Sequence, residues 1–449
     1  MTRAYTLSIF GLGRVGLSLA VCYASKGFNV IGVDVDKAKL KLLKKGKPPF
    51  YEPKLDRLLK LALDIRAITF TASHKEAVMK SDISFITVGT PSAPDGGVNL
   101  RFVKQVARQI GVALRLKEGW HLVVVRSTVP PGTTKDIIKP IIEDSSGKKC
   151  GDDFGLCMNP EFLSEGSAIN CILKPDRIII GEYDKRSGDA LQIFYENFYG
   201  QELPPILRTN LVNAELIKYA NNAFLAMKVS FANMIANLCQ RLPGADVGVV
   251  MKGIGMDKRI SPYFLRAGLG WGGSCWPKDL KALLKIAEKH GLRMPLIEAT
   301  IEVNEKQPSV AIEMAKEVLG SLTDKKVAVL GLSFKPGTDD TREAVSLKVI
   351  RRLLDEGAIV VVYDPRAMGN ARKIIGDSVI YAKSIRECLS GADCCIIITE
   401  WDEFRKLKPE DFIAYMRRPV IIDGRRIYES AEFKRREDII IILVGTCKP

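Results

Sequence analysis

Histidine is nearly missing from this 449-residue chain: His74, His121 and His290 are the only three. None stands in a metal-ligand spacing, which argues against a histidine-built zinc site or a Ser-His-Asp triad. No metal site is expected, and if the chain is an enzyme other groups must move its protons. It also lacks any Cys-x-x-Cys pair, and its ten cysteines fall short of the density of a disulfide-stapled scaffold. Most sit inside apolar runs, as Cys22, Cys239, Cys394 and Cys395 do, so reduced thiols and a cytoplasmic location are expected. Disulfides stay open, since intracellular proteins of hyperthermophiles carry them. No apolar run reaches the roughly 18–20 residues of a bilayer span, so no membrane partner is expected. The apolar N-terminal stretch is interrupted by Arg14 and followed by Asp34, which reads as folded core and not as a signal peptide. Acidic residues are in deficit, 52 against 67 Lys and Arg, for a formal net charge of +15. That surplus suits anionic partners. It is scattered rather than gathered in a tail, and no run interleaves it with aromatics, so phosphorylated small molecules fit better than nucleic acid.

What is present is a globular composition, 47% hydrophobic and 27% charged, long enough for about three domains. Thr6–Phe10 reads as a strand, Leu17–Lys26 as a helix, and Asn29–Val33 as a strand ending at Asp34. Short apolar runs recur at Ile83–Val88, His121–Arg126, Phe154–Met158 and Arg177–Ile180, with helical segments between them. Strands alternating with helices imply a parallel sheet covered on both faces. Asn213–Cys239 has no Gly or Pro and spaces Leu216, Ile217, Ala220, Ala223, Phe224, Met227 and Phe231 as a helix does. This predicts one long, largely buried helix. Helical patterns continue to about residue 320, broken by the glycine-rich 268–278. The opening design then returns, with a strand at Lys326–Leu330, a turn over Gly331–Arg342, a helix at Ala344–Glu356 and a strand at Ile359–Tyr363 before Asp364. The expected fold is α/β, with two Rossmann-like parallel-sheet domains joined by a central helical region. The boundaries expected are 1–205 for a dinucleotide-binding domain, 206–310 for a helical dimerisation domain, and 311–449 for a second Rossmann-like domain.

Gly11-x-Gly13-x-x-Gly16 follows the first strand and opens a helix, with Asp34 ending the next strand. In that context the glycines permit a tight turn, close approach to a pyrophosphate and close helix packing, and the helix N-terminus faces the phosphates. A carboxylate at Asp34 suits ribose hydroxyls and repels a 2′-phosphate, so NAD is preferred to NADP, although Lys37 and Lys39 lie near. Taken alone, GxGxxG is equally a glycine-rich surface turn. Gly270–Asp279 crowds glycine with Ser274, Cys275, Pro277, Lys278 and Asp279. Ser274 is a plausible N-cap, which puts Cys275 at a helix N-terminus with Lys278 one turn on, and both favour a thiolate. Asp279 could activate water. The bland alternative is a buried cysteine in a structural loop. Lys218 and Asn222, four apart, share a helix face and could hold a hydroxyl and its developing oxyanion. Surface Lys–Asn pairs at that spacing are common, but this helix is otherwise apolar. Ser127–Gly132 and Asn159–Gly166 each follow a strand, where loops face the ligand crevice of a parallel sheet. Each is equally a turn with a helix cap.

In this order, these motifs together with Ser333-Phe334-Lys335-Pro336 resemble the UDP-glucose/GDP-mannose dehydrogenase family, from Gly11 to Arg426. The resemblance implies NAD-dependent, four-electron oxidation of the C6 alcohol of a nucleotide sugar. In such a reaction Cys275 would add to the intermediate aldehyde as a thiohemiacetal and then carry a thioester. Asp279 and Thr128 would hold a water, Glu161 would assist, and Lys218 and Asn222 would hold the C6 oxygen. Gly11, Gly13, Val15, Gly16, Asp34, Lys39, Thr90, Thr128, Glu165, Lys278 and Arg342 would contact the cofactor. Glu161, Phe162, Leu163, Phe264, Gly270, Phe334, Lys335 and Arg425 would contact the sugar nucleotide beside Lys218 and Asn222. Arg259 would reach that of a neighbouring subunit, implying a homodimer through the central helices. The turn Gly331–Lys335 lacks GxGxxG, so no second NAD is expected. Asn210, Asn213 and Ser261-Pro262 depart from the pattern and bear on sugar and base rather than on the chemistry. Phe162-Leu163 with Glu165-Gly166 argues against the N-acetylmannosamine branch. Gly255–Ile260 with Phe264-Leu265 favours UDP-glucose over GDP-mannose. A two-electron hydroxyacid dehydrogenase, which needs no cysteine, remains a separate reading.

Overall fold

The structure, a computed structural model of the chain, describes residues 5–429, 431–434 and 436–447. The chain divides into two compact units: residues up to 221 with 281–286, and residues 222–280 with 287 onward.

The first unit holds an eight-stranded sheet. Its strands are β1 (Thr6–Phe10), β2 (Asn29–Val33), β3 (Ile68–Thr71), β4 (Ile83–Ile86), β5 (His121–Val125), β6 (Phe154–Met158), β7 (Ile178–Glu182) and β8 (Ile206–Asn210). They lie in the order β3-β2-β1-β4-β5-β6-β7-β8, and every pair is parallel except β6 with β7. β4, β5 and β6 are buried at every position, which explains why they are apolar but for Ser84 and His121. β3 and β8 escape a reading based on apolar runs because they are short and part-exposed, and β8 ends in Arg208-Thr209-Asn210. His121 is fully buried on β5. Its Nδ1 faces Lys117 Nζ at 3.0 Å and its Nε2 faces Ser84 Oγ at 2.7 Å, and burial pushes its pKa well down. The histidine is a neutral structural link. The chain leaves β1 toward β2 on one side and returns to β4 on the other, so the strand ends beyond β1 and β4 border the crevice where such sheets bind ligands.

The second unit holds a six-stranded parallel sheet. Its strands are β9 (Lys326–Leu330), β10 (Ile359–Tyr363), β11 (Ile380–Tyr381), β12 (Cys394–Ile397), β13 (Val420–Asp423) and β14 (Ile440–Leu443), in the order β11-β10-β9-β12-β13-β14. Helices from residue 222 to 319 pack with it around one apolar core.

The long helix runs from Leu211 to Cys239 and crosses from one unit to the other. It corrects the sequence expectation in one respect. Ala223 and Ala226 are buried, but Leu216, Phe224 and Phe231 are exposed, Phe224 at 57%. The helix buries its small residues and its polar ones, Glu215, Lys218, Asn222 and Asn233.

Glu215 ties this helix to the loop after β5. Its carboxylate accepts the Gly132 N–H at 2.6 Å and the Thr134 N–H at 2.7 Å, at the head of the π-helical turn Thr134–Ile138. The N–H groups favour the charge, but burial outweighs them and lifts the carboxyl from 4.5 to about 7. Between those pH values the folded chain keeps a proton that the unfolded chain has lost. The stability tied to Glu215 is therefore complete below about pH 4.5 and falls, by up to about 3 kcal/mol, as pH rises through 7. Thermal melting from pH 5 to 8 should show this decline in the wild type and a flatter profile in Glu215→Gln; parallel profiles would place the titration elsewhere.

Candidate active site

The glycine turn after β1 has the geometry of a dinucleotide cradle. Gly11 takes φ +98°, where a Cβ would strike Val88. A Cβ on Gly16 would come within 1.9 Å of the Gly11 carbonyl and 2.5 Å of Thr87 Oγ1. Gly13 differs: a Cβ there meets no protein atom within 4 Å. Two glycines thus serve the protein's own packing, and the third leaves open space for a ligand's approach. Gly13 is also the N-cap of the helix Arg14–Ser25 and has no side-chain cap, so the first N–H groups of that helix keep their capacity for phosphate. Thr87, unremarked in the sequence, donates its hydroxyl to the Phe10 and Gly11 carbonyls and fixes the turn.

Asp34 closes β2 and accepts from the Leu12 N–H at 2.9 Å, the Asp36 N–H at 3.0 Å and Lys39 Nζ at 2.8 Å. Burial pushes its carboxyl up, but the Lys39 ammonium and the two N–H groups outweigh this and hold it below the usual carboxylate range. Lys39 is thus paired with Asp34. These residues fit a bound NAD.

Other expected groups gather at the same sheet edge. Thr90, buried, follows β4, and Thr128, half-buried, follows β5. The neighbouring Ser127 donates its hydroxyl to the Val88 carbonyl at 2.7 Å and joins these two loops. Arg14, inside the glycine turn, pairs with Glu165 at 3.4 Å and brings the loop after β6 beside the nucleotide cradle. Glu52 shapes that loop by accepting the Gly166 and Ala168 N–H groups at 2.7 and 2.8 Å, and Arg126 donates to Asn159 and Tyr195 beneath it. Neither role had a signal in the sequence, because each depends on partners far away in the chain. Lys218, 3% exposed, donates to the Glu161 carbonyl at 2.6 Å and to Glu161 Oε1 at 2.9 Å, with the Phe162 ring 5.5 Å away. Glu161 Oε2 accepts the Leu163 N–H at 2.6 Å. Burial would raise the Glu161 carboxyl, yet the Lys218 charge and hydrogen bond hold it below its usual range. Glu161 is therefore a carboxylate that aims an ammonium.

In the second unit, Cys275 itself is the N-cap of the helix Trp276–Lys289. This corrects the expectation for Ser274, whose hydroxyl lies 3.7 Å from the sulfur. All ten cysteines are thiols, and of these Cys275 is the exposed one. Burial pushes Cys150, Cys388 and Cys394 to about 12 and Cys157 and Cys395 well above the ordinary thiol value, which suits inert core packing. Asp279, one turn after Cys275 and 1% exposed, accepts from Asn222 Nδ2 at 2.7 Å and Lys278 Nζ at 2.5 Å. Lys278 thus donates to Asp279, a partner other than the thiol expected for it.

Phe334 and Arg425 join the same glycine loop. A Cβ on Gly273 would strike the Phe334 ring at 2.8 Å, and Arg425 donates to the Gly270 carbonyl at 3.3 Å. Lys335 Nζ lies 5.7 Å from that ring, and Phe264 and Trp276 pack with centroids 6.0 Å apart. Arg342 pairs with Asp340, while Arg259, its side chain 89% exposed, pairs with Asp257. Asp364 stands where Asp34 stands in the first unit, but its carboxylate faces inward. It accepts from the N–H groups of Leu332, Ser333, Arg366 and Ala367 and from the Trp401 indole. A carboxylate so occupied has little capacity left for a ribose.

The two glycine roles are separable. Gly13→Ala should leave the melting temperature unchanged yet weaken NAD⁺ binding, measured by calorimetry, by at least about tenfold. Gly16→Ala should lower stability by about 1–3 kcal/mol, as an overpacked core does. Equal effects of the two on stability would contradict the division.

Three profiles of one family match the chain: the UDP-glucose/GDP-mannose dehydrogenase NAD binding domain over residues 5–199, its central domain over 212–306 and its UDP binding domain over 328–430. UDP-glucose 6-dehydrogenase AglM of Haloferax volcanii is 42% identical over 435 residues, covering 97% of this chain and 100% of its own. A GDP-mannose 6-dehydrogenase of Pseudomonas putida is 38% identical over 439 residues, covering 93% and 98%. The solved structure of a UDP-glucose dehydrogenase from the hyperthermophilic archaeon Pyrobaculum islandicum matches with a TM-score of 0.90 at 42% identity, covering 99% of each chain. Likeness of this extent, laid over the cradle and the glycine loop described above, shows that the chain belongs to the UDP-glucose/GDP-mannose dehydrogenase family and is an NAD-dependent oxidoreductase of a nucleotide sugar.

Proposed function

We propose that the chain oxidises the C6 alcohol of UDP-glucose to the carboxylate of UDP-glucuronate through a covalent cysteine intermediate. The observation that carries this reading is Cys275, the exposed thiol at the head of a helix whose next turn presents a buried, doubly held Asp279. A two-electron dehydrogenase has no use for such a thiol. NAD⁺, when bound, takes up a hydride at each of the two oxidations. Lys218 and Asn222, one turn apart on the long helix, hold the C6 oxygen and stabilise its negative character. A water held by Asp279 and Thr128 relays the first proton. The Cys275 sulfur adds to the aldehyde carbon, and its thiol proton passes to the oxygen, giving a thiohemiacetal. Loss of a second hydride and the hydroxyl proton leaves a thioester. Water, deprotonated by Asp279 with Glu161 assisting, displaces the sulfur and releases the acid. Covalent attachment keeps the aldehyde from escaping between the steps. UDP-glucose is favoured over GDP-mannose by three relatives named for it at 41–42% identity, against 38% for the GDP-mannose 6-dehydrogenase.

The same reading makes 206–310 a dimerisation region of a cytoplasmic homodimer. Phe224, Phe231, Met234 and Leu238 line one face of the long helix and are exposed, as are Val249, Met256 and Tyr263. An apolar stripe of that length is a typical site of association. Arg259 is exposed as well, as a residue reaching a neighbouring subunit would need to be.

A panel of nucleotide sugars assayed for NADH should give about two NADH per sugar consumed, fastest with UDP-glucose. Cys275→Ala should abolish acid formation and leave NAD⁺ binding intact; full turnover in that variant would exclude the covalent route. Phe231→Asp combined with Met234→Asp should sediment as a monomer, and a dimer in that variant would move the interface elsewhere.

A further inference from the structure

Residues 268–275 form an irregular, glycine-rich stretch directly before the helix that Cys275 caps. Such backbone cannot pair its own N–H and C=O groups, and its glycines make ordering costly. Buried polar side chains of the second unit do the pairing instead. Asn304 meets Trp271 at two points: the Trp271 N–H donates to Asn304 Oδ1 at 2.7 Å, and Asn304 Nδ2 donates to the Trp271 carbonyl at 2.9 Å. Three residues earlier, the Gly268 N–H donates to Asn233 Oδ1 and Gln307 Nε2 donates to the Gly268 carbonyl, both at 2.8 Å. The Trp271 indole donates to Ser230 Oγ at 2.9 Å, which in turn donates to the Thr300 carbonyl at 2.9 Å. So held, the Trp271 ring meets Trp276 edge-on, with centroids 5.8 Å apart and planes at 71°. Trp276 is the residue after Cys275. The fit is close, since a Cβ on Gly270 would stand 2.9 Å from Asn304 Oδ1.

We propose that Asn304 is a positioning residue for the Cys275 thiol. It locks the Trp271 backbone, Trp271 braces Trp276, and the brace sets where the sulfur stands for attack. The inference rests on the reading of Cys275 as the nucleophile. A nucleophile about 1 Å out of place can lose about a hundredfold in rate. Asn304→Asp is nearly isosteric, so it opens no cavity. It keeps an acceptor for the Trp271 N–H and sets an oxygen against the Trp271 carbonyl in place of a donor. Asn304→Asp and Asn304→Ala should each lower kcat by about tenfold to a hundredfold, with KM for NAD⁺ and nucleotide sugar changed little. Both should also shift the pH profile of Cys275 alkylation by iodoacetamide, read on its own peptide by mass spectrometry. A folded Asn304→Asp with unchanged kcat and an unchanged alkylation profile overturns the proposal. Should neither variant fold, Trp271→Phe, which removes the bond to Ser230 but keeps a ring against Trp276, must shift the same profile, and an unchanged one again overturns it. Wild-type protein that makes no acid defeats the function reading, while the alkylation comparison still reports on Asn304.

Discussion

An ammonium taken out of water costs several kcal/mol unless an acid meets it, and the long helix takes Lys218 out of water. Glu161 meets it with both its carbonyl and its carboxylate, and the ammonium holds that carboxyl ionised. The pair is more than a repair of burial, because it fixes an ammonium at the edge of the sheet where strand-end loops gather. One helical turn on, Asn222 does the same for Asp279 by donating to its carboxylate. The helix tolerates Glu215, Lys218, Asn222 and Asn233 on its buried side because each finds a partner there. Several of its larger apolar side chains, Leu216, Phe224, Phe231, Met234 and Leu238, are left outside. That inversion of the ordinary pattern gives the helix a buried face of paired polar groups and an outer face of apolar ones.

The two Rossmann-like units begin from one plan and end differently. Each places a glycine after its first strand and an aspartate after its second. In the first unit Asp34 keeps a low pKa with three donors, one of them the Lys39 ammonium. In the second, Asp364 turns onto the loop after β9 and is consumed by backbone N–H groups and an indole. The same residue type in the same topological place thus pairs with a lysine ammonium in one case and with a turn in the other. Donor count, not sequence position, separates them.

Much of the fold was legible in the chain because apolar runs and helical spacing report burial directly. β1, β2, β6, β9 and β10 fall where their apolar residues place them, and the long helix falls within two residues of its Gly- and Pro-free stretch. β3 and β8 were hidden because an exposed or edge strand need not be apolar. The candidate site was legible in its residue types. Glycine spacing, Asp34, the pair Lys218 and Asn222, and the Gly–Cys–Lys–Asp crowding each carry a chemical reason within a few residues of sequence. The supporting groups were not: Thr87, Glu52, Arg126 and Asn304 are single polar residues in unremarkable surroundings, and their partners are 33 to 116 residues away.

Local chemistry therefore belongs to the sequence. A turn that needs glycine, a helix that begins at a thiol, and a strand that ends in an acid are all set within one or two turns of chain. Which lysine is set against which acid, which of two like aspartates pairs with a lysine and which with a turn, and which amide meets Trp271 depend on groups that meet only after folding. Hydrogen bonds and buried charges are decided by distance in space, and sequence spacing carries no record of that distance once two residues lie on different elements.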